Sequence, residues 1–280
     1  MRRLMLFRIK TAIDAVCYPI YVARGRSPWR PGYYTAKRRQ IECAIDEELL
    51  RPGTILPRGY GFRMDERVIE YPWVYSRLPG DPGRMLDAGA SLNHDFLVQR
   101  APVNKARLSI CTLAPEKRCY WRHGISYVFD DLRSCIFRSG AFDTVVSIST
   151  IEHIGLDNTR LYTADQTKRE RDSEGFRAAV REFRRILRPG GSCFITVPYG
   201  KTGVRGWFQV FDAAMVQMIL DDFRPIDQEI DYFGYFSDGW RTASPAQLTE
   251  ATFFDIHEER DFGPDFAAGA RGVVCMRLVA

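Results

Sequence analysis

With 280 residues, 45% of them hydrophobic and 27% charged, the chain can bury a full core and fits one large α/β domain with additions better than two separate ones. Seven cysteines, an odd number scattered without a Cys-x-x-Cys pair, read as reduced core thiols and speak against both a disulfide framework and a structural metal. No apolar stretch approaches the length of a membrane span and the charged N-terminus does not read as a signal peptide, so the expected location is the cytoplasm.

Residues 1–40 hold ten Lys and Arg against the single acid Asp14, a balance of +9 that leaves −4 for the rest out of the overall +5. The basicity belongs to an arm, which suits an anionic lipid surface or a phosphorylated carrier as well as it suits nucleic acid. Residues 1–23 can form an amphipathic helix with Arg3, Lys10 and Asp14 on one face, ended by Pro19, and this is the candidate for peripheral membrane contact. Residues 27–61, rich in Pro, Gly and aromatics around a helix at 36–50, complete an arm and cap over 1–64, ahead of a main domain over 65–280. Residues 65–78 open with a capping acid and place Val68, Ile69, Trp73 and Leu78 on one helix face, with a kink expected at Pro72. Arg67 and Glu70 on this helix either reach a ligand or form a surface ion pair.

Residues 84–93, Arg-Met-Leu-Asp-Ala-Gly-Ala-Ser-Leu-Asn, read as strand, tight turn and helix. Met85 and Leu86 suit a buried parallel strand, Gly89 permits the reversal, and Asn93 is placed to cap a helix over 94–97. Short apolar runs at 106–113, 125–129 and 142–148 predict further strands. Phe176, Val180, Phe183 and Leu187 recur at helical spacing over 173–187, a helix stopped by Arg-Pro-Gly-Gly at 188–191, and a strand follows at 192–197. A helix at 213–223 and a last strand at 272–279 complete an alternation that implies a doubly wound parallel sheet. Residues 156–171, polar and aperiodic just past a strand end, form a candidate lid.

Four separated blocks carry a family resemblance: Met-Leu-Asp-Ala-Gly-Ala at 85–90, Asp131 to Arg133, residues 142–147 leading into Glu152-His153-Ile154, and Ile-Leu-Arg-Pro-Gly-Gly at 186–191. In order and spacing they resemble class I S-adenosylmethionine-dependent methyltransferases over about residues 81–198. Residues 65–73, 152–158 and 197–212 are similar, more narrowly, to a bacterial group associated with polysaccharide synthesis. The resemblance implies a Rossmann-like seven-stranded sheet whose last strand, Gly272–Val279, runs antiparallel.

It also implies a cofactor, S-adenosylmethionine, and positions for it. Asp87 would meet the methionine ammonium directly or through water, with Gly89, Ala90, Ser91 and Asn93 forming the turn. Asp131 and Leu132 fall on the adenine side, and Ser149 follows the fourth strand. The acid that family members often place after the second strand for the ribose is Thr112 in this chain, leaving Thr112 or Glu116 for that contact. His153 and Glu152 are the candidate catalytic pair, because an imidazole suits removal of a hydroxyl proton. Together with Asp157 they could also grip a divalent cation, although no metal is expected.

The expected function is O-methylation of a sugar hydroxyl in a glycan or its precursor, the acceptor facing Tyr199, Trp207 and Gln209. A nicotinamide dehydrogenase would need a fuller Gly-rich turn and an acid after the second strand. A nucleic-acid methyltransferase would need basic residues over the catalytic face rather than in an arm. Another small-molecule methyltransferase, or a non-catalytic cofactor-binding protein of this fold, remains as an alternative.

Overall fold

The computed structural model describes residues 2–160 and 162–280, with side chains described from Thr11 onward. Three helices precede the sheet: α1 (Arg2–Ala23), α2 (Tyr33–Asp46) and α3 (Arg67–Tyr75). Pro19 does not end α1, which runs on to Ala23. Ala15 and Pro19 both lie on the exposed side, so the carbonyl that loses its N–H partner to proline meets water. Asp14 faces the protein: its carboxylate accepts from Gly32 N at 2.6 Å, Thr35 N at 2.7 Å and Thr35 Oγ1 at 2.7 Å, satisfying donors at the start of α2. The side chains of Arg3 and Lys10, expected on one face with Asp14, lie outside the described set.

Helix α3 was expected to bury one face, yet every residue from Val68 to Tyr75 is buried. Helix α2 covers its outer side, and the cap is continuous with the main domain through Tyr33 and Lys37, which both bond Asp65 Oδ2. Asp65 does not cap α3, whose cap position is Glu66, although it accepts from Arg67 N at 3.2 Å just ahead of the helix. Pro72 cannot donate to the carbonyl of Val68, four residues before it. The Tyr60 hydroxyl does so instead, which is how a proline persists in a buried helix.

The sheet begins with β1 (Arg84–Ala88), followed by the single-turn helix α4 (Asp95–Val98), β2 (Arg107–Thr112), β3 (Ser126–Phe129), β4 (Phe142–Ile148), α5 (Phe176–Ile186) and β5 (Leu187–Pro198). A two-stranded ribbon, β6 (Gly203–Val204) with β7 (Gln209–Val210), leads to α6 (Ala213–Phe223), β8 (Asp227–Phe236), β9 (Gly239–Thr242), α7 (Pro245–Leu248) and β10 (Gly272–Val279). The main sheet has the order β3-β2-β1-β4-β5-β10-β8-β9. Strands β1 to β5 pair in parallel and β10 runs antiparallel, as expected; it lies between β5 and β8. There are eight strands rather than seven, because β9 folds back on β8 as a hairpin at the edge.

Adjacent residues along the strands feed opposite faces. Met85, Val146, Phe194 and Val273 pack with α2 and α3, while Leu86, Val145, Ile195 and Val274 pack with α5 and α6. Both faces are therefore covered, and the ligand edge at the carboxyl ends of β1 to β4 is where loops stay open.

Candidate functional site

Asp87 lies one residue before the end of β1, with no solvent exposure. Its two oxygens accept from Ser91 N at 3.2 Å and Leu92 N at 2.8 Å, folding residues 88–92 into a tight turn. Burial outweighs these bonds and pushes its carboxyl up to about 7. Gly89 has φ +116°, and a Cβ there would lie 2.2 Å from Thr150 Oγ1, so glycine is required both by conformation and by the approach of the β4 loop. The Ser91 hydroxyl donates to Ile148 O at 2.5 Å and ties the two loops together. Ala90 holds the turn at φ +63°. Asn93 does not cap α4: the cap position is His94, and the Asn93 amide instead donates to Arg118 O at 2.9 Å and Glu116 Oε2 at 3.2 Å. Its carbonyl accepts from the Tyr127 hydroxyl. A side chain drawn to these loops after β2 cannot also reach the helix N–H groups.

Past β4, Ser149 adopts φ +39°, rare for a residue with a side chain. Its hydroxyl donates to Glu70 Oε1 at 2.6 Å, as does Thr196 Oγ1 at 2.6 Å, and Arg67 Nη1 stands 2.5 Å from Glu70 Oε2. The Arg67–Glu70 pair is not a surface ion pair, since Glu70 is completely buried beneath the ends of β4 and β5. It braces the loop that carries the catalytic candidates.

That loop is a 3-10 turn, Ile151–His153. His153 Nδ1 lies 2.9 Å from Trp207 O, and since a carbonyl only accepts, Nδ1 bears the proton and Nε2 the lone pair. The imidazole stacks on the Trp207 ring at 5.1 Å and 14°, with Tyr162 against it edge-on at 5.3 Å. Burial lowers its pKa to about 4, so it is neutral at pH 7. Glu152 is buried as well, with Oε1 3.8 Å from His153 Nε2 and Oε2 without a partner. Burial raises its pKa well above the carboxylate range, while the histidine beside it is neutral.

The cavity at this edge is lined by Gly89, Thr112, Asp131, Leu132, Ser149 and His153, all expected there. Asp87 and Glu152 are not among its lining residues; Asp87 holds the turn after β1, and Glu152 lies buried beside His153. The 156–171 segment covers one side through Asn158, Tyr162, Lys168 and Glu170. Arg133, which sequence reasoning did not single out, clamps this segment to β3: its guanidinium lies 2.7 Å from Asp131 Oδ2 and 2.6 Å from Glu170 Oε2. Burial opposes ionisation of Asp131, yet the Arg133 bonds prevail and hold its pKa below the usual range.

Of the three expected acceptor residues, only Trp207 adjoins the site. Tyr199 is buried against Tyr232, and Gln209 is buried with its amide on Ser173 O at 2.9 Å, so neither presents an open face. Trp207 also lines a second cavity, with Trp29, Lys37, Arg67, Phe253 and His257. Glu152, His153 and Asp157 do not converge as ligands; Asp157 is engaged by Thr159 and Arg169, and no group of three His, Cys, Asp or Glu able to hold a metal forms among the described residues.

No known family profile and no curated protein matches the chain. Among solved structures it is similar to phosphoethanolamine N-methyltransferase 2 of Haemonchus contortus, crystallised with S-adenosylmethionine, at 15% identity and TM-score 0.44 over 89% of this chain and 58% of that one. It is similar to the 1,6-didemethyltoxoflavin-N1-methyltransferase of Burkholderia thailandensis, crystallised with S-adenosylhomocysteine, at 13% identity and TM-score 0.42 over 98% and 90% of the two chains. A third likeness is to the cyclase SpnF, at 19% identity and TM-score 0.37, with 54% of each chain covered. The chain thus spans little more than half the length of the first and third of these proteins.

Proposed function

We propose that the protein is an S-adenosylmethionine-dependent O-methyltransferase whose acceptor is a hydroxyl, most simply that of a sugar in a glycan or its precursor. The observation that carries the reading is His153: a neutral imidazole whose tautomer is fixed by Trp207 O and whose Nε2 forms no hydrogen bond among the described residues. It lines a cavity at the carboxyl ends of β1 to β4, where doubly wound sheets bind nucleotides. The residues fit the cofactor, since Gly89 lets the β1 turn approach closely, Asp131 and Leu132 offer the adenine side, and Thr112 the ribose side. When bound, S-adenosylmethionine supplies a methyl group already activated on a sulfonium.

The chain's part is to orient the acceptor and take its proton. A base of pKa about 4 is sufficient for this, because an oxygen that has begun to bond a methyl group is a far stronger acid than imidazolium. His153 Nε2 receives the proton, and the Trp207 carbonyl steadies the resulting charge at Nδ1–H. Glu152, whose ionisation burial opposes, lies with Oε1 3.8 Å from Nε2 and is the competing base. Asp87, Ser91 and Asn93 serve cofactor binding by holding the turns on which Gly89 and Ala90 sit. Trp207 stands between His153 and the second cavity, the side from which the acceptor reaches the base.

Thermal unfolding with S-adenosylmethionine and with NAD tests the cofactor: at 100 times its Kd the true ligand stabilises by about 2.7 kcal/mol. A shift with NAD alone defeats the reading. Transfer of labelled methyl to a panel of glycans, phenols and RNA then tests the acceptor, and labelled RNA alone would replace the sugar with nucleic acid.

A further inference from the structure

Helix α1 has two apolar sides, and only one of them is used. On the inner side Asp14 and Tyr21 are buried, and Tyr18 packs under the Arg39 guanidinium at 4.3 Å. Together with the Asp14 bonds to Gly32 and Thr35, these contacts fix how the helix is turned. The outer side carries Ile13, Val16 and Ile20, at 53%, 77% and 56% exposure. Spacings of three and four residues place the three in a single stripe along the helix. Elsewhere the described large apolar side chains left this exposed are scattered singly, which is ordinary for a protein surface.

Charge identifies what covers the stripe. Asp14, the one acid in the first 40 residues, is turned inward and spent on backbone N–H groups, so it neutralises nothing outside. Arg24, Arg26 and Arg30 follow the stripe, all exposed, and none is in an ion pair among the described residues. Upstream the sequence supplies Arg2, Arg3, Arg8 and Lys10 without an acid. The body beyond residue 40 carries −4 and would be repelled by an anionic surface, which orients the arm toward it. A covering protein would need a complementary acidic groove, whereas a bilayer rich in anionic lipid offers headgroups to the cations and acyl chains to the stripe. No helix among the described residues is long and apolar enough to cross a membrane, which leaves the interface as the place for α1.

We propose that α1 docks the protein on an anionic membrane surface, with Ile13, Val16 and Ile20 entering the interface and the arginines of the arm engaging lipid headgroups. Docking is independent of methyl transfer.

The test is flotation of the full chain with phosphatidylcholine vesicles, with and without phosphatidylglycerol. Binding to the phosphatidylglycerol vesicles alone is expected, weakening as salt is raised. The Ile13→Ser/Val16→Ser/Ile20→Ser variant should bind at least about tenfold more weakly. It should keep its circular dichroism, because the three side chains pack on nothing described; Arg24→Glu/Arg26→Glu, which leaves the helix intact, should weaken binding likewise. Equal binding to both vesicle types, no binding, or unchanged binding in both variants overturns the proposal. So does a dimer of the wild-type chain in lipid-free sedimentation that the triple variant loses, since the stripe would then cover a second copy.

Discussion

At the scale of single residues, pairing with Arg133 decides the charge of Asp131, but burial dominates at His153 and Glu152. His153 and Glu152 are neighbours, yet burial lowers the pKa of the one and raises that of the other, since the fold penalises charge on either one. His153→Ala should therefore lower single-turnover methylation by about 10² to 10⁴-fold while leaving cofactor affinity almost unchanged. Glu152→Gln, which keeps the shape of the side chain but cannot take a proton, should retain most of the activity; the reverse order would make Glu152 the base. The rate should be level from pH 6 to 9, because the imidazole is unprotonated throughout that range. Asp87→Ala acts on binding instead, through the turn: freeing Ser91 N and Leu92 N should weaken cofactor affinity by about 1.5 to 3 kcal/mol, measured by calorimetry on folded protein. Asp87 and His153 were legible in the sequence because one lies next to the end of β1 and the other follows β4, both strands that the apolar pattern marks. The burial of Glu70 was not legible, because an acid three residues from an arginine reads as a surface pair until Ser149 and Thr196 are seen to close over it.

Among the elements, those with strong periodicity were the ones legible in advance. Strand β4 is buried almost throughout and α5 buries Phe176, Val180 and Phe183 on one side, so their patterns show. Strand β8 escaped notice because its first half is exposed or half-buried and its sequence, Asp-Gln-Glu-Ile-Asp-Tyr, has no apolar run. Pro19 and Asn93 misled for a different reason: both carry standard local meanings that tertiary contacts overrode. In α3 a tertiary contact also repairs a local defect. Tyr60→Phe leaves Val68 O without the donor that Pro72 cannot supply, and should cost about 1 to 3 kcal/mol in urea unfolding with little change in fold.

For the whole molecule, the buried acids predict how stability follows pH. Asp87 is pushed up to about 7 by burial, and Glu66 and Glu152 are raised in the same way. A carboxyl whose folded pKa lies above its unfolded value favours folding fully below about 4 and loses that contribution as pH rises through 7. His94 and His153, lowered to about 4, act oppositely: their contribution is complete above about 6.5 and is lost as pH falls toward 4. Between pH 6.5 and 8 only the acids remain in play, so stability should decline across that interval. Urea midpoints taken at intervals of pH would show it, and the decline should be shallower in Asp87→Ala. A rise in stability over the same interval would mean that these carboxyls are ionised in the fold.

The stacking of His153 on Trp207 also has an optical consequence. An excited indole gives up an electron to imidazolium far more readily than to neutral imidazole, so the emission of Trp207 depends on where the histidine proton is. The ligand-free protein should keep a bright Trp207 down to about pH 5 and dim as His153 takes a proton near 4, a step that His153→Ala abolishes. The same ring would then register, during turnover, the moment at which the acceptor's proton arrives.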